Sequence, residues 1–197
     1  MTENTYEVHA IKYARLSRRS PENFIGGDEH DSEMPLNYYV WVISNGARSI
    51  VVDTGFGEEM AKKRGRQIVR PVAEGVKALG ISPESVKDVI ITHMHYDHAG
   101  NLPLFANARY HLQDKEMDFA TGRCMCHRMM NHGYEADDVV HMVRCVFDQR
   151  AHLLADVADK AGRRNFPNRA ACFKHMIWFR NRSNLTFGRF DDGFSLG

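Results

Sequence analysis

The sequence predicts a mixed α/β domain, α+β in its details, and three observations carry that prediction. Residues 6–13, Tyr6-Glu7-Val8-His9-Ala10-Ile11-Lys12-Tyr13, alternate apolar and polar side chains, the period of a half-buried strand. Residues 38–44 and 48–53 are two β-rich runs joined through Asn45-Gly46, a hairpin signal because both residues tolerate positive φ. A helical segment at 71–79 is then followed by a β-branched run, Val86, Val89, Ile90 and Ile91, so strands and helices alternate along the chain.

The elements follow in order. Residues 17–35 cluster Ser, Pro, Gly, Asp and Glu and predict a long loop, of the kind that often carries function. The run over 58–79 is charged and helical in composition, broken by Gly65 and Pro71. Within it Val72, Val76 and Leu79 share one helical face, and Gly80 supplies the stop. Ser82-Pro83-Glu84 predicts a short helical turn. Residues 108–112 read as a strand and 113–120 as a helix. Val139, Val140, Met142, Val143, Val146 and Phe147 recur at helical spacing behind Asp137 and Asp138, acids that suit a first helical turn.

A chain of 197 residues suffices for one domain with a real core and is short for two. A formal charge of +1 and a pI near 7.8 give no electrostatic reason to expect nucleic acid or an anionic membrane as partner. The start, Met1-Thr2-Glu3-Asn4-Thr5, lacks a basic-then-apolar signal pattern, and no apolar run approaches a membrane span. The expected compartment is the cytoplasm, and the four cysteines, Cys124, Cys126, Cys145 and Cys172, are expected as reduced thiols. Cys124-Met125-Cys126-His127 is too tightly spaced for a Cys-x-x-Cys zinc clip and reads as ordinary helix or loop.

The chemistry concentrates after the β-branched run, in Thr92-His93-Met94-His95-Tyr96-Asp97-His98-Ala99-Gly100-Asn101. Three histidines and an aspartate fall within six positions, and imidazole plus carboxylate donors suit Zn, Fe or Mn rather than Ca or Mg. His93 and His95, two apart, point to one side of an extended segment. Four donors crowded this closely do not easily share one tetrahedral ion, so a two-metal arrangement is expected: His93 and His95 on one ion, Asp97 and His98 on the other. Asp97 is also the candidate catalytic residue, able to orient or shuttle a proton, while Tyr96 reads as packing. His9, His30, His111, His127, His132 and His141 have no ligand spacing, and His111 reads as structural.

The pattern His-x-His-x-Asp-His after a strand ending in Thr resembles the signature of the metallo-β-lactamase superfamily. More narrowly, the chain looks like the quorum-quenching N-acyl homoserine lactonase branch. Support comes from Val51-Val52-Asp53-Thr54-Gly55, Asn23-Phe24-Ile25-Gly26-Gly27-Asp28, Met34-Pro35-Leu36 and Glu135-Ala136-Asp137-Asp138-Val139-Val140. The resemblance implies an αββα sandwich, two zinc ions, and Asp53 lying behind the ligands to fix the tautomer and tilt of a ligand histidine. The reading of Asp53 as a simple turn residue stands beside it. The implied activity is opening of a small-molecule lactone by attack of a metal-bound hydroxide. Thioester and phosphodiester hydrolysis occur in the same superfamily and remain alternatives.

The resemblance covers residues 1–150, which read as the N-terminal part of such a domain. Residues 151–197 read as a divergent tail, frameshifted or poorly ordered, in which arginines scatter without matching acids. Residues 151–161 suggest a helix, 172–179 a weak strand or helix, and 183–197 a glycine-rich loop. The superfamily's later ligands, a Gly-His-Thr histidine, a bridging aspartate and a final histidine, have no recognisable counterpart there. His175, in Phe173-Lys174-His175-Met176, lacks any turn signal. The second sheet is accordingly expected to be incomplete or absent, the metal to bind weakly and one ion at a time, and the uncovered sheet face to favour a homo-oligomer. A catalytically weak or inactive relative is the alternative to the lactonase.

Overall fold

The structure is a computed structural model and describes residues 5–155. Among these, seven strands form one sheet in the order β4-β1-β2-β3-β5-β6-β7. Strand β1 (Glu7–Leu16) pairs antiparallel with β2 (Leu36–Ser44), and β2 with β3 (Ser49–Val52) across the Asn45-Gly46 turn. From β3 the sheet turns parallel through β5 (Asp88–Ile90), β6 (Arg109–Gln113) and β7 (Ala151–Leu154), with helical crossovers between them. The two-residue β4 (Gln67–Ile68) edges β1, in a stretch whose composition suggested only helix.

One face of the sheet is buried. Ile11, Tyr13, Val40, Val42, Val51, Val89, Tyr110 and Leu112 alternate inward along their strands and form the core. Helix α1 (Glu58–Lys63) leads to β4, and α2 (Val72–Ala78) lies across β1. The approach of α2 is set by Gly75, where a Cβ would overlap Ile11. The short α3 (Tyr96–Ala99) follows the loop that carries His93 and His95, and α4 (Asp114–Thr121) leaves β6. After α5 (Arg128–Asn131), α6 (Ala136–Phe147) buries Val139, Met142 and Cys145.

The opposite face is half open. Trp41, Val52 and Ile90 stand in register across neighbouring strands, and Ile90 is 37% exposed. The sequence placed Ile90 in a buried run with Val89; strand alternation turns it to the other face. His111, next in that register, is held at 2.8 Å by Asp88, which also pairs with Arg48, as its structural reading anticipated.

Ala151–Leu154 is a strand, not the start of a helix. Gln149, with φ 59°, ends α6 abruptly, and the Tyr110 amide donates to the Arg150 carbonyl at 2.7 Å, seating the following residues beside β6. The helical suggestion for the remainder of 151–161, and the readings of 172–179, 183–197 and His175, lie outside the described residues. Cys124 and Cys126 fall in a short 3-10 turn, Arg123–Cys126. No helix among the described residues is long and apolar enough to cross a membrane.

Candidate metal centre

The site forms where the parallel strands β3 and β5 end side by side. Asp53 follows β3 and Thr92 follows β5. Asp53 adopts φ 63°, in the left-handed region that few non-glycine residues enter. Its amide donates to the Ile90 carbonyl at 2.8 Å, and its side chain, fully buried, turns into the ligand loop. There Oδ1 accepts from the Thr92 amide at 2.8 Å, and Oδ2 lies 2.7 Å from Nδ1 of His98. The Thr92 hydroxyl is 2.9 Å from both carboxylate oxygens and 3.2 Å from Nδ1 of His93.

This network assigns the histidine tautomers. Thr92 spends its one hydroxyl proton on Asp53 and can accept from Nδ1–H of His93; Asp53 accepts Nδ1–H of His98. Both rings then keep Nε2 as the available lone pair. Burial works against a charge on His98, but the hydrogen bond and charge of Asp53 outweigh it and hold its pKa above the usual value. His95 goes the other way: burial lowers it to about 4, with Asp97 opposing, so its imidazole is neutral at pH 7.

The loop is pinned from several sides. The Thr54 amide and hydroxyl both donate to the His98 carbonyl, at 2.6 and 3.0 Å. Asn101 returns two bonds to Thr54, at 3.2 and 3.1 Å. From β1, the buried Tyr13 hydroxyl donates to the Asp97 carbonyl at 2.8 Å. Gly100 allows the closest approach: a Cβ there would overlap the Tyr96 carbonyl oxygen and lie 3.0 Å from that of Gly55. Tyr96 packs on Phe56 with ring centroids 5.4 Å apart, and Arg64 stacks 3.9 Å above its ring.

These contacts bring the predicted residues together. The ring centroids of His93 and His95 are 4.5 Å apart, and those of His93 and His98 are 3.9 Å apart. Asp97 Oδ2 lies 3.5 Å from Nε2 of His98. His30 stands apart on the 17–35 loop, exposed beside Asp28. Sequence reasoning missed Glu116, Tyr134 and Gly133, which back the loop from the far side. Glu116 is 1% exposed, and its Oε1 accepts from the Met94 amide at 2.8 Å and the Tyr134 hydroxyl at 2.9 Å. An acid in the first turn of a helix gives no sign in the sequence that it will be buried.

Whether these side chains fit a metal is a question of donor chemistry. A neutral His95 and two histidines held with Nε2 free are competent ligands, and Asp97 beside His98 supplies an anionic donor. The buried Asp53 side chain at His98, and Asp97 beside it, place carboxyl oxygens next to the histidines. Among the described residues, no three His, Cys, Asp or Glu side chains already stand in metal-holding geometry, so the fit is one of donor type and pairing.

Residues 34–120 match the family model of the Metallo-beta-lactamase superfamily. A probable metallo-hydrolase of Methanocaldococcus jannaschii is 42% identical to the chain over 48 residues, 24% of each protein. The N-acyl homoserine lactonase AttM of Azorhizobium caulinodans is 34% identical over 107 residues, 48% of this chain and 40% of AttM. The chain's matches thus span well under half the length of these relatives. Among solved structures, a quorum-quenching N-acyl homoserine lactone lactonase aligns with TM-score 0.54 at 19% identity, over 71% of this chain and 55% of that one. The dizinc quorum-quenching lactonase AidC aligns with TM-score 0.56 at 13% identity, over 78% and 60%. At such identities the likeness establishes the metallo-β-lactamase fold alone.

Proposed function

We propose that the chain is a zinc-dependent metallohydrolase that opens a small lactone of the N-acyl homoserine lactone type. The observation that carries this reading is the packing of His93, His95 and His98 against one another, with His98 fixed by Asp53. The lactonase relatives support the substrate class. His93 and His95 would hold one ion, and Asp97 and His98 the other. A bound divalent ion supplies Lewis acidity and makes a water nucleophile available at neutral pH.

The chain's own residues do the rest. Asp53 and Thr92 keep Nε2 of His98 and of His93 directed outward as lone pairs. Tyr13 and Thr54 hold the backbone of Asp97 and His98, so that the Asp97 carboxylate keeps its place beside His98. From there Asp97 would take up or deliver the proton that ring opening moves between water and the departing alkoxide. We place the chain in the cytoplasm as a homo-oligomer associating through the half-open sheet face, and read residues 151–197 as a divergent tail.

A second reading has a specific basis. Two tetrahedral ions need eight donors, and the His93–His98 stretch offers four. A chain that holds one ion loosely and turns over slowly fits that count. The test is zinc-dependent ring opening of an N-acyl homoserine lactone by the full chain, alongside a thioester and a phosphodiester. Lactone opening abolished by His95→Ala supports the first reading. One loosely held ion with slow turnover supports the second, and preference for another ester class overturns the substrate assignment.

A further inference from the structure

We propose that Glu116 is the positioning residue of His95, acting through the Tyr134 hydroxyl and the Met94 amide. This rests on the reading of His95 as a metal donor, but the geometry behind it does not.

Asp53 bonds His98 directly and adjoins His93 through Thr92, whereas the ring of His95 is packed by other elements. Its neighbour Asp97 is held through Tyr13, and His93 and His98 both touch Thr92. His95 is instead boxed from the opposite side of the loop. The ring of Tyr134 meets it edge to face, centroids 4.7 Å apart at 86°. The backbones of His95 and Tyr134 form an antiparallel bridge, and the Tyr96 amide donates to the Gly133 carbonyl at 2.8 Å. A Cβ at Gly133 would sit 2.7 Å from Cδ2 and 2.8 Å from Nε2 of His95, so only glycine leaves room for this ring position.

Glu116 ties both walls of that box together. One carboxylate oxygen accepts from the amide of Met94, the residue between His93 and His95, and from the hydroxyl of Tyr134. Phe119, one turn along α4, backs the Tyr134 ring at 5.6 Å. Met94 is fully buried, so the amide held by Glu116 cannot move without dragging its side chain through the core. Helix α4 thus sets where the His95 imidazole stands, as Asp53 sets His98. A ligand histidine depends on such outer partners for its orientation.

The alternative is that Glu116 merely fastens α4 to the loop. Ring resonances of the histidines distinguish the two. The full chain, labelled with 15N in histidine, is examined metal-free and then titrated with zinc, as wild type, Tyr134→Phe and Gly133→Ala. Tyr134→Phe keeps the ring and removes only the hydroxyl, so the fold survives it. Expected are shifted His95 ring signals in the metal-free protein with those of His98 unmoved, and zinc affinity lower by about tenfold. Gly133→Ala should shift His95 further. Unmoved His95 signals in a folded Tyr134→Phe chain would overturn the proposal. Shifted His95 signals in a chain whose wild type takes up no zinc would leave the positioning role standing and remove the metal reading instead.

Discussion

Oδ2 of Asp53 lies 2.7 Å from Nδ1 of His98, and that contact joins the end of β3 to the histidine-rich loop after β5. The carboxylate does two jobs, because Oδ1 also accepts the Thr92 amide. Asp53→Asn keeps a side chain that tolerates the left-handed backbone of φ 63°, removes the charge and turns one of the two accepting oxygens into an N–H donor. It is expected to weaken zinc binding by about 10- to 100-fold while leaving the fold intact. Competition with a chromophoric chelator measures this; an affinity within twofold of wild type speaks against Asp53 as the orienting partner.

Gly100 is expected to be intolerant of any side chain. A Cβ there meets the backbone carbonyl oxygens of Tyr96 and Gly55, which cannot swing aside as a flexible side chain does. Gly100→Ala should cost about 2–3 kcal/mol in urea unfolding. A loss below about 0.5 kcal/mol, the range of an ordinary surface change, would show that the loop is not packed this tightly.

Asp138 gives a pH signature away from the ligands. Burial first, and then the charges of Glu135 and Asp137, raise its pKa from 3.8 to about 6. The folded state therefore binds the proton more tightly than the unfolded one. The contribution of Asp138 to stability is present below pH 4 and is lost as pH rises through about 6. Asp138→Asn should stabilise the protein at pH 7–8 and do nothing below pH 4. The gain is expected near 1 kcal/mol, reduced by solvent screening at a partly exposed site. Equal effects at both pH values contradict the assignment.

Strands β1 to β3 and the clustering of His93, His95, Asp97 and His98 were legible because each is local. Alternation along β1 and β2 and the Asn45-Gly46 turn are read within ten residues, and the four donors lie within six. What supports the donors is not local. Tyr13 reaches Asp97 across 84 residues of chain and Glu116 reaches Met94 across 22, contacts that only the sheet order brings about. Strand β7 escaped notice for a related reason. Ala151-His152-Leu153-Leu154 has no alternation, and its conformation follows from pairing with β6.

The tail yields a prediction at the level of the gene. If residues beyond the sheet are frameshifted text, another reading frame downstream of codon 150 encodes a Gly-His-Thr segment followed by a strand ending in aspartate. Translating the two alternative frames checks this directly; finding neither feature in either frame removes the frameshift explanation.

Zinc titration of the full chain by calorimetry tests whether the His93–His98 stretch holds metal. Saturable binding of at least one zinc ion per chain is expected, lost in His95→Ala and in His98→Ala. Identical binding isotherms for wild type and both variants would contradict it.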